Sequence, residues 1–278
     1  MPMKKLKLSA LAVALLLFAN SCSTVPLSGR SRMNFVNESE MQTAAAQSYT
    51  TLLKDPSTKV LNNADAARVK RIGQKIAAAV TKYMNANGYG AQIEGFQWEF
   101  NLIDSKEVNA WCMPGGKVAV YSGILPVAKD DAGLATVMGH EIAHAVAQHS
   151  SERASKTAVA QGLGSLIGAA TAGKSQTMQT AIGQLYGVGA QAGYLLPNSR
   201  TQESEADHLG LIFMSMAGYN PSNAVTFWQR MSASSDNSQK PPEWLSTHPA
   251  DATRVAQIQK NLPEAQRYYN STTGKPVK

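Results

Sequence analysis

His140, Glu141, Ile142, Ala143 and His144 spell His-Glu-x-x-His inside a stretch that reads as one helix. Residues four apart on a helix lie one above the other, so the two imidazoles share a face. Glu141 is turned about 100° from His140 by the helical repeat, which lets it address a water instead of the metal that the histidines would hold. These are the parts of a hydrolase that activates water with zinc. A further protein ligand is needed. The extended pattern that supplies one from the same helix requires glycine at 147 and histidine at 150, where this chain has Ala147 and Ser150. His149 lies nine residues from His140, half a turn round an unbroken helix, and is expected to be solvated and to face away from the metal.

A carboxylate from a later helix would complete the set. Ser199-Arg200-Thr201-Gln202-Glu203-Ser204-Glu205-Ala206-Asp207 supplies two on one face, Glu203 and Asp207. One can bind zinc while the other, one turn behind, hydrogen-bonds a ligand histidine and fixes its tautomer; Glu203 is the expected ligand. Glu205 is rotated about 200° from Glu203 and is expected to point away; His208, about 140° round, is expected to be solvent-facing or locally satisfied.

The elements around these motifs follow from periodicity. Helices are predicted at 38–54 and 64–86, the second from Val69, Ile72, Ile76 and Val80 at helical spacing. Phe96, Trp98, Phe100 and Leu102 alternate with polar residues and predict a half-buried strand. Short strands at 109–113 and 117–122 flank the turn Pro114-Gly115-Gly116, and the second is expected to pair with an extended substrate. The His-Glu-x-x-His helix should open at Asp130 or Asp131 and run to about Lys156. Residues 158–196, with Lys174 as their only charge, predict a packed but mobile helical insert. Helices are expected at 200–217 and 221–233, with Pro221 in the first turn of the latter, and from Pro249 to Asn261.

The 278 residues, 44% hydrophobic and 16% charged, are globular in composition. Lys4, Lys5 and Lys7 precede an apolar run from Ala10 to Ala19, the build of a secretory signal occupying residues 1–21. Setting those three lysines aside takes the net charge from +7 to +4, with no basic stripe, which argues against a nucleic-acid partner. Ala19-Asn20-Ser21-Cys22 resembles a bacterial lipobox, so Cys22 is expected to carry lipid and residues 22–35 to form a tether. That leaves Cys112, between Trp111 and Met113, as a small buried apolar residue.

Taken together, His140-Glu141-x-x-His144, Glu203-x-x-x-Asp207, Thr247-His248-Pro249 with Arg254, and Thr24-Val25-Pro26-Leu27-Ser28-Gly29-Arg30 resemble the zinc peptidase family that includes HtpX, the CaaX prenyl protease and the BepA- and LoiP-type lipoproteins. The long apolar stretches of the family's multi-span members are absent, which favours its lipid-anchored periplasmic branch. The resemblance implies an α+β, mainly helical zincin-like domain over residues 36–278, with a small sheet next to the His-Glu-x-x-His helix. It implies one zinc per chain on His140, His144 and Glu203, Glu141 as general base, and Asp207 behind the ligands. His248 is implied near the metal, either as a fourth ligand in a closed state or as a donor to the reacting carbonyl. Arg254 is expected to bind substrate or to pair structurally. The implied function is hydrolysis of misfolded or misassembled proteins of the bacterial cell envelope, facing the periplasm, probed against a rival: a chaperone-like or scaffold lipoprotein whose zinc site His248 keeps closed. The physiological substrate and the oligomeric state are left open.

Overall fold

The computed structural model describes residues 22–160, 174–186, 198–236, 243–248 and 252–274. The signal segment, and the insert outside 158–160 and 174–186, lie outside the described residues. In chain order the elements are β1 (Cys22–Thr24), β2 (Ser31–Met33), α1 (Glu38–Lys54), α2 (Ala64–Ala86), β3 (Glu99–Ile103), β4 (Ala110–Met113), β5 (Lys117–Tyr121), α3 (Leu125–Ala128), α4 (Asp131–Val146), α5 (His149–Ala160), α6 (Lys174–Tyr186), α7 (Arg200–Met216), α8 (Asn223–Asp236), α9 (Glu243–Thr247) and α10 (Ala252–Thr273). The architecture is α+β and mainly helical. Among the described residues no helix is long and apolar enough to cross a membrane.

Polar caps start the helices where the sequence places them. Asn37 and Asn63 accept from the N–H groups of Glu40 and Ala66, and Asp130 accepts from Gly133 at 2.8 Å. Ser199 and Gln202 form a reciprocal capping box at the start of α7. Two boundaries shift. Asn220 accepts from Ser222 N–H in a local turn, so α8 begins two residues beyond Pro221. The last helix continues through Pro263 to Thr273 because Ile258 and Ala265, on either side of the proline, are both buried in the core. That packing offsets a proline penalty of about 3 kcal/mol.

The three-stranded sheet has the order β3-β5-β4, with β3 parallel and β4 antiparallel to β5. Alternation sorts its residues to two covered faces: Phe100, Leu102, Cys112, Val118 and Val120 pack with α2 and α4, while Ile103, Trp111, Met113 and Ala119 pack with α1 and α6. The expectation that 117–122 offers an edge to substrate is corrected here. β5 is the central strand, bonded on both sides; the outer strands are β3, whose far side is met near its end by residues 59–61, and β4.

α4 is buried on every side from Gly133 to Val146, and it lies along α7 in close contact. A methyl added at Gly139 would sit 2.8 Å from the Gly210 carbonyl oxygen, and one at Gly210 only 2.9 Å from the His140 nitrogen. The two backbones therefore touch through paired glycines, one of them the residue before His140. The helix expected to run to Lys156 breaks instead after Val146: Gln148 takes φ 52°, and a new helix starts at His149.

Where a tether is expected, residues 22–33 form a two-stranded antiparallel ribbon, with Cys22 opposite Met33 and Thr24 opposite Ser31. Val25 and Arg32 are buried in it.

Candidate metal centre

α4 delivers His140 and His144, α7 delivers Glu203, and the segment after α9 delivers His248. One ligand atom from each of the four lies within 4.8 Å of the others, and all four side chains are buried. The two Nε2 atoms of His140 and His144 are 3.0 Å apart. His140 Nε2 is 3.4 Å from Glu203 Oε2, and His144 Nε2 is 3.2 Å from Glu203 Oε1. A tetrahedron with metal–ligand bonds of about 2.0–2.1 Å has edges of about 3.3 Å, so these spacings fit one zinc ion. Among the described residues neither Glu203 oxygen has a hydrogen-bond partner, although both are buried; beside the Arg254 ion pair, a metal cation is the chemistry that satisfies such a carboxylate.

The surroundings of His140 are built for this. Its Nδ1 is 2.9 Å from Asp207 Oδ1, so a proton held there leaves Nε2 free as a donor atom. Arg254 grips Asp207 in a bidentate pair at 2.7 and 2.8 Å, reaches Glu203 Oε2 at 3.0 Å, and lies 3.5 Å over the Trp228 ring. Burial opposes charge on His140, but the Asp207 and Glu203 carboxylates outweigh it and raise its pKa to about 9. Burial would likewise raise the Glu203 carboxyl, yet His248, His140 and His144 hold it well below its usual range. Burial dominates for His144, pushed well below the imidazole range, and for His248, lowered to about 3.

Glu141 projects beside this cluster. Burial raises its carboxyl to about 7. Its Oε1 accepts from the Trp244 indole N–H at 2.7 Å and lies 3.5 Å from His248 Nε2. Trp244 stacks on Trp228 on one side and on His248 on the other, each with ring centroids 5.0 Å apart. This ladder seats α9 over Glu141.

His149 and Glu205 are placed otherwise than an unbroken helix predicts. The break at Gln148 swings His149 back, so that its Nδ1 meets His144 Nδ1 at 2.7 Å and its Nε2 meets Glu205 Oε2 at 2.8 Å. His149 is fully buried. Glu205 does point away from the cluster, but into protein: Arg30 Nε donates to it at 2.8 Å and Ser28 Oγ also donates. Arg30 spans from there to Glu152 with two more bonds at 3.0 and 2.8 Å. Burial opposes ionisation of Glu205 and Glu152, but these donors bring both to about 2. His208 is satisfied locally, 2.7 Å from Glu264. Cys112 is buried, as expected, and burial holds its thiol well above the usual range.

Asn109, Trp111, Glu141, His144, Arg153 and His248 line a cleft beside the cluster. Arg153 Nε and Nη1 are buried there with no hydrogen-bond partner among the described residues. Sequence reasoning missed Arg153, Trp244, His149 with Glu205, and Arg30. Two carried a signal: Arg30 ends the motif at 24–30, and Trp244 is the single aromatic residue in the polar stretch 233–247.

Residues 63–262, a span that holds all four cluster residues, match the model of peptidase family M48. The chain is 34% identical over 244 residues to the mitochondrial metalloendopeptidase OMA1 of Schizosaccharomyces pombe, covering 87% of this chain and 67% of that one. It is 30% identical over 256 residues to the OMA1 of Saccharomyces cerevisiae, covering 89% and 71%. To the beta-barrel assembly-enhancing protease of Escherichia coli it is 29% identical over 187 residues, covering 64% and 38%. The chain belongs to peptidase family M48 and is a zinc metalloendopeptidase.

Proposed function

We propose that this M48 peptidase hydrolyses misfolded or misassembled cell-envelope proteins from a membrane to which lipid on Cys22 holds it, with zinc on His140, His144 and Glu203. The observation that carries the chemistry is the convergence of two imidazoles and a buried carboxylate, from two helices, on one buried point. His140, His144 and Glu203 would hold a zinc ion, which would supply Lewis acidity for a water and for the scissile carbonyl. Glu141 takes the proton of the attacking water and passes it to the leaving amine; a carboxyl raised to about 7 suits both transfers. Asp207 holds His140 through Nδ1, and Arg254 holds Asp207 in turn.

β4, an outer strand, lines with Ala110, Trp111 and Cys112 the cleft that Glu141 and His144 also line. An extended peptide added there as a strand binds through its backbone, which gives loose side-chain selectivity and suits unfolded substrates. The two Arg153 donors that have no partner among the described residues are placed to take a substrate carbonyl in the same cleft. The envelope role draws on Lys4, Lys5, Lys7, the Ala10–Ala19 run and Cys22, and on the name of the Escherichia coli relative. The yeast relatives are mitochondrial by name, so the compartment is this chain's own reading and not theirs.

One observation favours a second reading, a latent site. The Trp244 indole occupies Glu141, and His248 belongs to the four-residue cluster. Digestion of unfolded casein by wild type, Glu141→Gln and His248→Ala decides between them. Glu141→Gln should retain zinc and lose about 10²–10⁴-fold in rate; full activity in that variant defeats the mechanism. Inactive wild type with activity gained in His248→Ala establishes latency.

A further inference from the structure

His140 meets its orienting carboxylate directly, whereas His144 reaches one only through a second imidazole. With both imidazoles neutral, as a metal ligand and its neighbour must be here, the bonding along that second path admits one proton arrangement. Glu205 accepts from Ser28 and Arg30 and is itself an acceptor only, so His149 Nε2 must carry the proton shared with it. His149 Nδ1 is then a lone pair, and His144 Nδ1, 2.7 Å away, must carry the proton between them. That leaves His144 Nε2 unprotonated and facing Glu203. The opposite arrangement would aim an N–H at the position a metal takes.

We propose that His149 and Glu205 are positioning residues for His144, and that Ser28 and Arg30, on the turn between β1 and β2, complete the pair from the other end of the chain. The proposal rests on the zinc reading above. Arg30 spreads its guanidinium across Glu205 and Glu152, one from α7 and one from α5, so it fixes the helix carrying Glu203 against the helix carrying His149. The ribbon is thereby part of the metal site. A purely structural role for these contacts would change the stability of the metal-free protein and leave the metal's environment as it was.

The test is zinc affinity by chelator competition on the full chain, beside the absorption spectrum of the cobalt-substituted protein and the thermal midpoint of the metal-free form. His149→Leu should weaken zinc about 10–100-fold and shift the cobalt spectrum. His149→Asn, whose side-chain oxygen can stand where Nδ1 stood, should recover most of that loss. Glu205→Gln and Arg30→Gln should weaken zinc by several-fold, about 3–10-fold, and Arg30→Lys less. Arg68→Ala, which breaks the ion pair to Asp131 away from the site, should leave zinc affinity unchanged. Zinc affinities of His149→Leu and Arg30→Gln within twofold of wild type, with an unshifted cobalt spectrum, would overturn the proposal. Should His149→Leu not fold, the Glu205→Gln and Arg30→Gln pair decides on the same criteria. Wild type that takes no zinc would overturn the metallopeptidase reading together with this one, whereas zinc-loaded wild type with indifferent variants overturns this one alone.

Discussion

The metal cluster has two unlike walls. His140, His144 and Glu203 stand on α4 and α7, which touch backbone to backbone at Gly139 and Gly210. Trp244 comes from α9, five residues long, and His248 from the residue just after it, both seated by an aromatic stack. The first wall cannot shift without separating two buried helices. The second is held by the indole bond to Glu141, the Trp244 stack on Trp228, and hydrogen bonds to the rest of the fold: Trp244 N–H to the Val108 carbonyl, Asn198 N–H to that of Thr247 and Arg254 to that of His248. The metal-binding residues of the first wall thus stand on two long helices in backbone contact, whereas Trp244 and His248 stand on a short segment held by a few hydrogen bonds and a ring stack.

The largest effect is expected from breaking the first wall. Gly210→Ala places a methyl against the His140 backbone, and overpacking of this kind costs about 1–3 kcal/mol. Zinc content after dialysis and casein hydrolysis should both collapse; a variant that keeps both would show that the helices have slack. The second wall is probed by Trp244→Phe, which keeps the stack and removes the bond to Glu141. A lost hydrogen bond of about 0.5–1.5 kcal/mol should raise kcat/KM roughly two- to tenfold at unchanged zinc affinity, and unchanged kcat/KM would mean that α9 does not obstruct the base. Between the walls, Arg153→Gln should raise KM about two- to fivefold, the scale of one lost hydrogen bond, with kcat little altered. A fall in kcat alone would place Arg153 elsewhere in the reaction.

The smallest effect concerns pH. Glu152 is depressed from 4.5 to about 2 in the folded protein. Its contribution to stability is therefore complete above about 4.5 and is lost as the pH falls through about 2. Because Arg30, the partner of this buried carboxylate, is itself 22% exposed, the gain is modest. Chemical denaturation between pH 5 and 2 should show a steeper loss for wild type than for Arg30→Ala. Equal slopes would remove Arg30 as the cause.

Much of the first wall was legible because helical spacing fixes which residues share a face. His140, His144, Glu203 and Asp207 needed only the repeat of an α-helix, and α1 and α2 end where their patterns end. The crossing itself was not legible, since nothing local distinguishes Gly139 and Gly210 from other helical glycines. His149 was misplaced for a definite reason: the helical wheel presumes an unbroken helix, and a single left-handed residue, Gln148, reverses the direction of the next side chain. Glutamine gives no hint of that conformation, which glycine or asparagine would have advertised. The strand order failed similarly. A hairpin at 110–121 is local, but the parallel pairing of β3 with β5 is set by packing over distance.

The ribbon at the amino end carries one more consequence. Ser28 stands six residues beyond Cys22, a reach of at most about 20 Å in extended chain, and Cys22 is itself already locked into a strand. An acyl group on that cysteine would leave the enzyme no leash. The catalytic mouth would ride at a nearly constant height and tilt above the lipid, sampling only polypeptide that comes close to the bilayer surface.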